Sequence, residues 1–236
     1  MCQTPSRMNK RPQYIVVEGP IGVGKTTLTR ALAKRFSGRS VFEIVEENPF
    51  LADFYTDRDK YAFQTQLFFL LSRFKQQERL AQQELFAKIT VSDYLFAKDR
   101  IFASLTLSGA EIALYDRVYE ALGTRVPKPD LVIYLQARQD VLLDRIRARG
   151  RPFERNFDAG YLRALCEAYN EFFFRYDDTP LLVVNTSDID LRDAREDMDA
   201  LVREIQALRG GTKHYVPQIS RKGTAMPEPV LSEPKG

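Results

Sequence analysis

The sequence predicts an α/β fold built on a five-stranded parallel sheet with helices on both faces. Short runs of β-branched and other apolar residues alternate along the chain with longer segments in which apolar residues recur at the helical period. The short runs are largely continuous in their apolar character, which is typical of strands that are covered on both faces. The alternation of the two patterns therefore indicates βαβ units in one parallel sheet.

The apolar runs predict strands over residues 14–18, 41–45, 89–92, 131–135 and 181–184. Helical periodicity predicts helices over residues 25–36, 61–83, 110–122, 139–149, 158–175 and 190–208. In the second of these helices, apolar residues at spacings of three and four form one stripe: Phe63, Leu67, Leu70 and Phe74. No internal repeat or linker rich in Pro, Gly or Ser interrupts residues 14–208, so these residues are expected to form one domain.

Composition limits the class of protein. With 236 residues and 44% apolar residues, the chain has enough material for a core and is not a wholly disordered protein. No apolar run approaches the roughly 18 residues of a membrane-spanning helix, and the polar start has no signal-peptide core, which predicts a soluble, cytoplasmic protein without a membrane partner. Two cysteines and His214, which falls in a predicted tail, provide neither a disulfide framework nor a zinc site nor a catalytic histidine.

The two ends differ from the rest of the chain in charge and composition. Residues 1–13 are expected to be flexible, and residues 209–236, with four prolines, four glycines and no periodicity, are expected to form a disordered tail, in which Tyr215 and Val216 could dock on the domain. Each end carries a net charge of +3, so the overall charge of +3 leaves −3 on residues 14–208. A slightly acidic body argues against binding of a nucleic-acid polymer.

The strongest motif is Gly19-Pro-Ile-Gly-Val-Gly-Lys-Thr26, which fits the phosphate-loop pattern between a predicted strand and a predicted helix. Glycines let backbone N–H groups converge on an anion, and the helix N-terminus adds positive potential. Lys25 would reach the β- and γ-phosphates, and the Thr26 hydroxyl would join a Mg²⁺ shell. The strand and helix on either side disfavour the alternative, a glycine-rich turn with a solvated lysine. We expect the phosphate-binding residues to be Gly19, Pro20, Ile21, Gly22, Val23, Gly24, Lys25, Thr26 and Thr27.

The motif predicts that the chain binds a nucleoside triphosphate. A GTPase would also need Asn-Lys-x-Asp and Asp-x-x-Gly strings, and neither occurs in the sequence. A motor or helicase would be larger and would need more nucleic-acid surface. The size therefore favours a small phosphotransferase.

A cluster of arginines lies at the end of the predicted helix over residues 139–149. Arg145 and Arg149 share a helix face, and Gly150 ends the helix, so Arg151 and Glu154 fall on a flexible flap. Several guanidinium groups suit a transferring phosphoryl group, whose charge is spread over three oxygens. The alternative is a solvated basic helix end, and beside a phosphate loop we favour a lid.

Acidic residues follow two predicted strands. Glu43 and Glu46 come at the end of the second strand, and Asp93 ends the third. Because ligands bind outside the carboxyl ends of parallel strands, these positions suit a general base and a metal or hydroxyl ligand, although exposed acids are also common there. On the helix over residues 61–83, Gln66 and Arg73 are seven residues apart beside the apolar stripe, where they could bind a base edge or form an ordinary polar flank.

Several ordered motifs resemble the deoxynucleoside kinase family, which includes deoxycytidine, deoxyguanosine and deoxyadenosine kinases, and most closely its bacterial purine-type branch. The resemblance covers residues 14–208 and rests on Glu18-Gly-Pro-Ile-Gly-x-Gly-Lys-Thr-Thr27, Glu43-Ile-Val-Glu-Glu-Asn-Pro-Phe-Leu51, Phe54-Tyr55, Phe63-Gln-Thr-Gln66 through Leu71-Ser-Arg73, Ser92-Asp-Tyr94, Asp99-Arg-Ile-Phe102 and Arg149-Gly-Arg-Pro-Phe-Glu154. It implies a P-loop kinase fold with an arginine-rich lid, ATP as the phosphate donor, Mg²⁺, a deoxyribonucleoside acceptor and a homodimer formed by a pair of helices, such as those over residues 61–83 or 110–122.

The resemblance also implies roles for individual residues. Glu43 matches the general base that takes the proton of the 5′-hydroxyl, and Asp93 matches the acid that assists magnesium and the 5′ side. Tyr55 and Glu154 match the pair that holds the 3′-hydroxyl. The residues that match the base-binding set are Gln66, Arg73, Asp99 and the stacking ring of Phe102, and those that match the lid are Arg145, Arg149 and Arg151.

This chain departs from the family pattern at two positions. Ile44 stands where many members carry proline, and Tyr94 stands where many carry an arginine directly after the acid. A tyrosine supplies no permanent charge, so stabilisation on the 5′ side is expected from another residue. Two other functions remain open from sequence: a nucleoside monophosphate kinase similar to thymidylate kinase, and a nucleotide-binding protein without catalytic activity.

Overall fold

The computed structural model describes residues 12–83, 89–154, 157–189 and 195–217. Its centre is a sheet of six strands, not five, in the order β2-β3-β1-β4-β5-β6, with every neighbouring pair parallel. The strands are β1 (Tyr14–Glu18), β2 (Arg39–Val41), β3 (Thr90–Ser92), β4 (Leu131–Gln136), β5 (Leu181–Asn185) and β6 (Thr212–Tyr215). The predicted α/β fold with a parallel sheet is confirmed, and the strand count is corrected.

The sixth strand lies in the segment that was predicted to be a disordered tail. Residues Thr212–Tyr215 pair with β5, and none of the four side chains is buried. Its first three side chains are exposed and polar and carry no apolar signal, and the strand is held by backbone pairing with β5 and by Tyr215, which packs against the apolar cluster on one face of the sheet. His214 therefore lies on this edge strand and not in a tail. Residues 1–11 and 218–236 lie outside the described residues.

The helices are α1 (Lys25–Arg35), α2 (Leu51–Thr56), α3 (Arg58–Gln83), α4 (Lys98–Thr106), α5 (Gly109–Gly123), α6 (Gln139–Arg149), α7 (Ala159–Phe174) and α8 (Arg195–Ala207). Two of them, α2 and α4, were not predicted. The six residues of α2 are too few for a periodic pattern. In α4, which has nine residues, the charged side chains of Lys98 and Asp99 are buried, although charged residues are usually exposed.

Side chains alternate between the two faces of the sheet. Ile15 and Val17 of β1 pack on one face with α1, α6 and α8, whereas Tyr14 and Val16 pack on the other with α4 and α7. Each face buries at least ten apolar side chains. A third apolar cluster joins α2, α3 and α5. This packing explains why strands read as continuous apolar runs in the sequence.

The strand order places the carboxyl ends of β1, β2 and β3 at one edge of the sheet. From β1 the chain crosses to β2 and returns to β3, and it then crosses to β4 on the other side of β1. Ligands of open parallel sheets bind outside the strand ends at such a switch point. The described part of the chain contains no helix that is long and apolar enough to cross a membrane.

Candidate active site

The loop between β1 and α1 is shaped by glycines. Gly19 and Gly22 have φ angles of 149° and 86°, which side chains of L-residues rarely allow. A Cβ atom at Gly19 would lie 2.4 Å from the Leu135 carbonyl oxygen, and one at Gly22 would lie 2.7 Å from that of Leu142. Both glycines are therefore required by the close approach of the loop to β4 and α6.

Lys25 begins α1 and turns back over this loop. Its Nζ donates hydrogen bonds to the carbonyl oxygens of Gly19 at 2.6 Å and Pro20 at 3.2 Å. Burial lowers the pKa of Lys25 to about 8, although the nearby carboxylate of Glu18 acts in the opposite direction. A partly desolvated ammonium group at a helix N-terminus is suited to bind phosphate oxygens.

Asp93, directly after β3, connects the loop to the second strand. One carboxylate oxygen accepts a hydrogen bond from the Thr26 hydroxyl at 2.7 Å, and the other accepts one from the Glu43 backbone N–H at 2.7 Å. Burial raises the pKa of Asp93, while these two hydrogen bonds oppose the shift. The carboxylate and hydroxyl oxygens thus lie together, as the predicted Mg²⁺ ligands must.

Glu43 lies two residues beyond β2 in a buried ion-pair network. Arg73 of α3 donates to its Oε1 through Nε at 2.8 Å and through a terminal nitrogen, and Lys98 of α4 donates to its Oε2 at 2.7 Å. Burial alone would raise the pKa of Glu43, but the charges of Arg73 and Lys98 outweigh it and hold the pKa well below its usual range. Glu43 is therefore ionised at neutral pH.

Lys98 was missed by sequence analysis. Its side chain is only 3% exposed, and it lines the same pocket as Lys25 and Glu43. A lysine at the start of a short helix usually lies in solvent, so the sequence contains no signal that this one is buried. Its position depends on the packing of α4 against α3 and α7.

Three of the four predicted base-binding residues, Gln66, Arg73 and Phe102, line the pocket. Gln66 and Arg73 are 3% and 4% exposed, so the alternative of an ordinary polar flank on α3 is wrong. Gln66 donates to the Thr106 hydroxyl at 3.3 Å, and Arg73 also forms an ion pair with Asp99. Phe102 contributes an apolar ring to the pocket, whereas Asp99 is fully buried beside Arg73 and does not line it. Asp99 therefore orients Arg73 in this structure.

The predicted 3′-hydroxyl pair and two lid arginines form the opposite wall. Tyr55 of α2 stacks on Phe153, and Glu154 is buried in a 3₁₀ turn over Pro152–Glu154. Arg149 donates to the Glu154 carboxylate at 3.1 Å, and Arg151 forms an ion pair of 2.7 Å with Glu46. The ion pair of Arg151 with Glu46 thus joins the segment after α6 to the loop after β2. All the pocket-lining residues are Ile21, Lys25, Thr26, Glu43, Val45, Leu51, Phe54, Tyr55, Thr65, Gln66, Phe69, Arg73, Asp93, Lys98, Phe102, Arg149, Arg151, Phe153, Glu154 and Tyr161.

The structure corrects the prediction that Arg145 belongs to the lid. Its guanidinium donates to the backbone oxygens of Thr186 at 2.8 Å and Ile189 at 3.0 Å, and it also contacts the Val23 carbonyl at 3.4 Å. Arg145 does not line the pocket. Although it shares a helix face with Arg149, it lies one turn earlier, where the phosphate loop and the segment after β5 surround it. Arg145 therefore links the phosphate loop to the segment after β5, on the side of the loop away from the pocket.

Substitution of Arg145 by methionine is expected to lower the free energy of unfolding by about 2–4 kcal/mol, because several backbone oxygens lose a charged donor. Arg147→Met on the same helix is the matched control. The Arg147 side chain is 75% exposed and pairs only with exposed Asp144 among the described residues, so a change below about 0.5 kcal/mol is expected. Urea denaturation followed by circular dichroism measures both values, and equal stability of the two variants would assign Arg145 to solvent or to the lid.

Comparison with known proteins agrees with this geometry. The sequence model of the deoxynucleoside kinase family matches residues 15–208. Deoxyguanosine kinase of Bacillus subtilis (strain 168) is 39% identical over 188 residues, which cover 79% of this chain and 90% of that protein. Deoxyadenosine kinase of Dictyostelium discoideum is 36% identical over 183 residues, which cover 74% of this chain and 73% of that protein.

A solved structure extends the likeness to three dimensions. Deoxyadenosine kinase from M. mycoides with bound dATP matches with a TM-score of 0.70 and 25% identity, over 83% of this chain and 100% of its own. The family match spans the sheet from β1 to β5 and all eight helices, and therefore includes every residue of the pocket. On this evidence the chain belongs to the deoxynucleoside kinase family.

Proposed function

We propose that this protein transfers the γ-phosphoryl group of ATP to the 5′-hydroxyl of a deoxyribonucleoside, with a preference for purines, and so forms a deoxynucleoside monophosphate in nucleotide salvage. The observation that carries the proposal is the shared pocket of Lys25 and Glu43. Lys25 is a cation at a phosphate-binding loop, and Glu43 is an ionised carboxylate close enough to interact with it electrostatically. A donor anion and an acceptor hydroxyl can therefore meet between them.

The donor side positions the triphosphate. Backbone N–H groups of the phosphate loop and the ammonium group of Lys25 bind the phosphate oxygens, and Arg145 keeps the loop in place. Thr26 and Asp93 would hold Mg²⁺, which neutralises phosphate charge when it is bound. Among the described residues, no cluster of three His, Cys, Asp or Glu side chains could hold a metal alone, so phosphate oxygens would complete the shell.

The acceptor side orients the nucleoside. Gln66 and Arg73 face the base with Phe102 as an apolar wall, and Tyr55 with Glu154 holds the sugar. Glu43 then accepts the proton of the 5′-hydroxyl as the oxygen attacks. A weakly basic carboxylate suffices for a loose phosphoryl transfer, in which positioning contributes most of the rate. Arg149 and Arg151 stabilise the charge on the transferred group.

The same residues disfavour a nucleoside monophosphate kinase. An acceptor that carries its own phosphate would bring at least one negative charge next to Glu43, Asp93 and Glu154. Two of these carboxylates already pair with cations, Glu43 with Arg73 and Lys98, and Glu154 with Arg149 and Arg151, so those cations are not free to bind a further phosphate. A neutral hydroxyl avoids this repulsion. Lys98 also removes the main argument for a protein without catalytic activity, which was the absence of a cation at Tyr94.

Preference for purines follows from the relatives. The two relatives described above are named deoxyguanosine kinase and deoxyadenosine kinase, and the buried amide and guanidinium of Gln66 and Arg73 offer both donors and acceptors to a purine edge. The test is turnover of the four natural deoxynucleosides and their 5′-monophosphates with ATP. We expect product from deoxyguanosine or deoxyadenosine with the highest kcat/KM. Phosphorylation of monophosphates alone would overturn the proposal.

A homodimer is the assembly that we propose. Leu71 on α3 and Leu114 on α5, the two helices expected to contribute the interface, are 47% and 52% exposed. Sedimentation at micromolar concentration tests this assignment.

The pH dependence should report the ionisation of Lys25. With a pKa of about 8, Lys25 is protonated below this pH and loses its charge above it, so kcat/KM for ATP is expected to decrease above about pH 8. Bound phosphates favour the ammonium form, and kcat at saturating ATP should persist to higher pH. Lys25→Arg remains charged throughout and should lack this decrease. The same decrease in Lys25→Arg would assign the ionisation to another group.

A further inference from the structure

Lys98 has an unusual position for a lysine of a water-exposed enzyme cleft. It begins α4, is almost completely buried, and its Nζ lies 2.7 Å from Oε2 of Glu43. Lys98 lines the same pocket as Lys25 of the phosphate loop and Asp93 of the proposed metal site. One buried cation thus shares a pocket with the donor-binding lysine, the proposed general base and the proposed metal site. Burial of such a charge is costly unless a partner compensates it.

The hydrogen bonds to Glu43 show where a substrate hydroxyl can bind. Oε1 accepts two hydrogen bonds from Arg73, which is the number that a carboxylate oxygen usually accepts. Oε2 accepts one, from Lys98, and retains one acceptor position. The 5′-hydroxyl would therefore donate its proton to Oε2. This arrangement places the attacking oxygen next to Nζ of Lys98.

Proton transfer changes the charge around Lys98. The proton of the 5′-hydroxyl passes to Oε2, the 5′-oxygen forms a bond to the γ-phosphorus, and the bond from that phosphorus to the β-phosphate oxygen breaks with its electron pair left on ADP. Glu43 is then neutral, so Lys98 is no longer compensated by it. An interaction that strengthens as the reaction proceeds lowers the barrier more than one that is equal in the ground state.

We propose that Lys98 supplies the positive charge of the acceptor side, first by pairing with Glu43 and then by binding an oxygen of the transferring phosphoryl group. The inference rests on the proposed kinase function. Tyr94, the residue directly after Asp93, does not supply this charge, because a phenol is neutral or anionic and never cationic. Tyr94 lies in the segment between β3 and α4 and does not line the pocket, whereas Lys98, the first residue of α4, does.

The test is Lys98→Met, which keeps the length of the side chain and removes its charge. We expect kcat for the best deoxynucleoside to fall by about 100-fold, while KM for the nucleoside changes less than about five-fold. Because Glu43 retains only Arg73 as a cation in direct contact, the acid limb of the pH–kcat profile should move to higher pH. Lys75→Met, at an exposed position on α3, is the matched control and should retain the wild-type rate and profile.

A variant that keeps the positive charge separates loss of charge from loss of the folded structure. Lys98→Arg is expected to retain at least about ten-fold more kcat than Lys98→Met, with the acid limb near its wild-type position. Circular dichroism and thermal unfolding verify the fold of both variants. A folded Lys98→Met with wild-type kcat, or an unchanged acid limb, overturns the role of Lys98. Turnover by the wild-type protein in the same assay reports on the proposed function independently, so the two failures are distinguishable.

Discussion

Glu43→Gln is expected to lower kcat by about 10³-fold while deoxynucleoside binding is retained. The amide keeps the size of the carboxylate and can still accept a hydrogen bond, but it cannot take the proton of the 5′-hydroxyl. It also leaves Arg73 with Asp99 as its carboxylate partner in the network and Lys98 without the anion at 2.7 Å. The loss should therefore appear in kcat and not in the dissociation constant of the nucleoside, measured by calorimetry.

Glu46→Gln is the matched control for this experiment. Glu46 is three residues from Glu43, but its side chain is 61% exposed and pairs with Arg151 of the opposite wall. Exposed ion pairs contribute at most about 1 kcal/mol, so kcat should change by less than about five-fold. Sequence position alone makes the two acids equal candidates for the base. A large loss in Glu46→Gln with wild-type activity in Glu43→Gln would exchange their roles.

The fold was predictable where burial produces a pattern. β1 and α6 match their predicted ranges because both are bounded by clear signals, a glycine loop in one case and Gly150 in the other. The second strand lies earlier than predicted: Val41 ends β2, and Val45, at the end of the predicted range, lines the pocket instead. β6 was not predicted, since three of its four side chains are exposed and only Tyr215 packs against the core, so the strand depends mainly on backbone pairing with β5.

For the candidate site, the sequence predicted which residues gather in one place but not the contacts between their side chains. Motifs identify which residues gather at the strand ends, because parallel topology brings those ends together. The contacts between these side chains depend on how separate helices pack against one another, and the spacing of residues within one segment carries no information about that packing. Lys98 and Arg145 illustrate this limit. The sequence around Lys98 is that of a surface lysine, but its side chain is buried in the pocket. Arg145 has the sequence position of a lid arginine, but its guanidinium group contacts the segment after β5 and does not line the pocket.

The pocket also shows how a chain with a slightly acidic body can bind anions. Its cations are concentrated at the phosphate loop, on α4 and at Arg149 and Arg151. Lys98, Arg149 and Arg151 each pair with a carboxylate that limits the cost of burial, whereas Lys25 donates to two carbonyl oxygens of the loop. Arg73 shares two carboxylates, Glu43 and Asp99, so the base-binding end and the reacting end of the pocket are electrostatically connected. A substitution at Asp99 should consequently affect both ends, which purely local base recognition would not require.

Lys25→Met is expected to reduce kcat/KM for ATP by about 10²–10³-fold, because the transferring phosphate loses its fixed cation. The matched control is Lys34→Met, at an exposed position of the same helix, which should retain activity. The free energy of unfolding of Lys25→Met is not expected to decrease together with its activity. Burial lowers the pKa of Lys25 in the folded protein to about 8, so below this pH the charged form is less favourable in the folded state than in the unfolded state.

Because Lys25 is expected to support activity and to lower stability, the two measurements on Lys25→Met should change in different directions. The destabilisation by Lys25 is present in full below about pH 8 and is relieved as the pH rises toward the ordinary lysine value of 10.5. Lys25→Met removes the buried charge at every pH, so its free energy of unfolding at pH 7 should equal or exceed that of the wild type, whereas its activity is lost. An inactive variant that is also strongly destabilised would show that Lys25 acts by holding the loop together through Gly19 and Pro20, and not by binding the phosphoryl group.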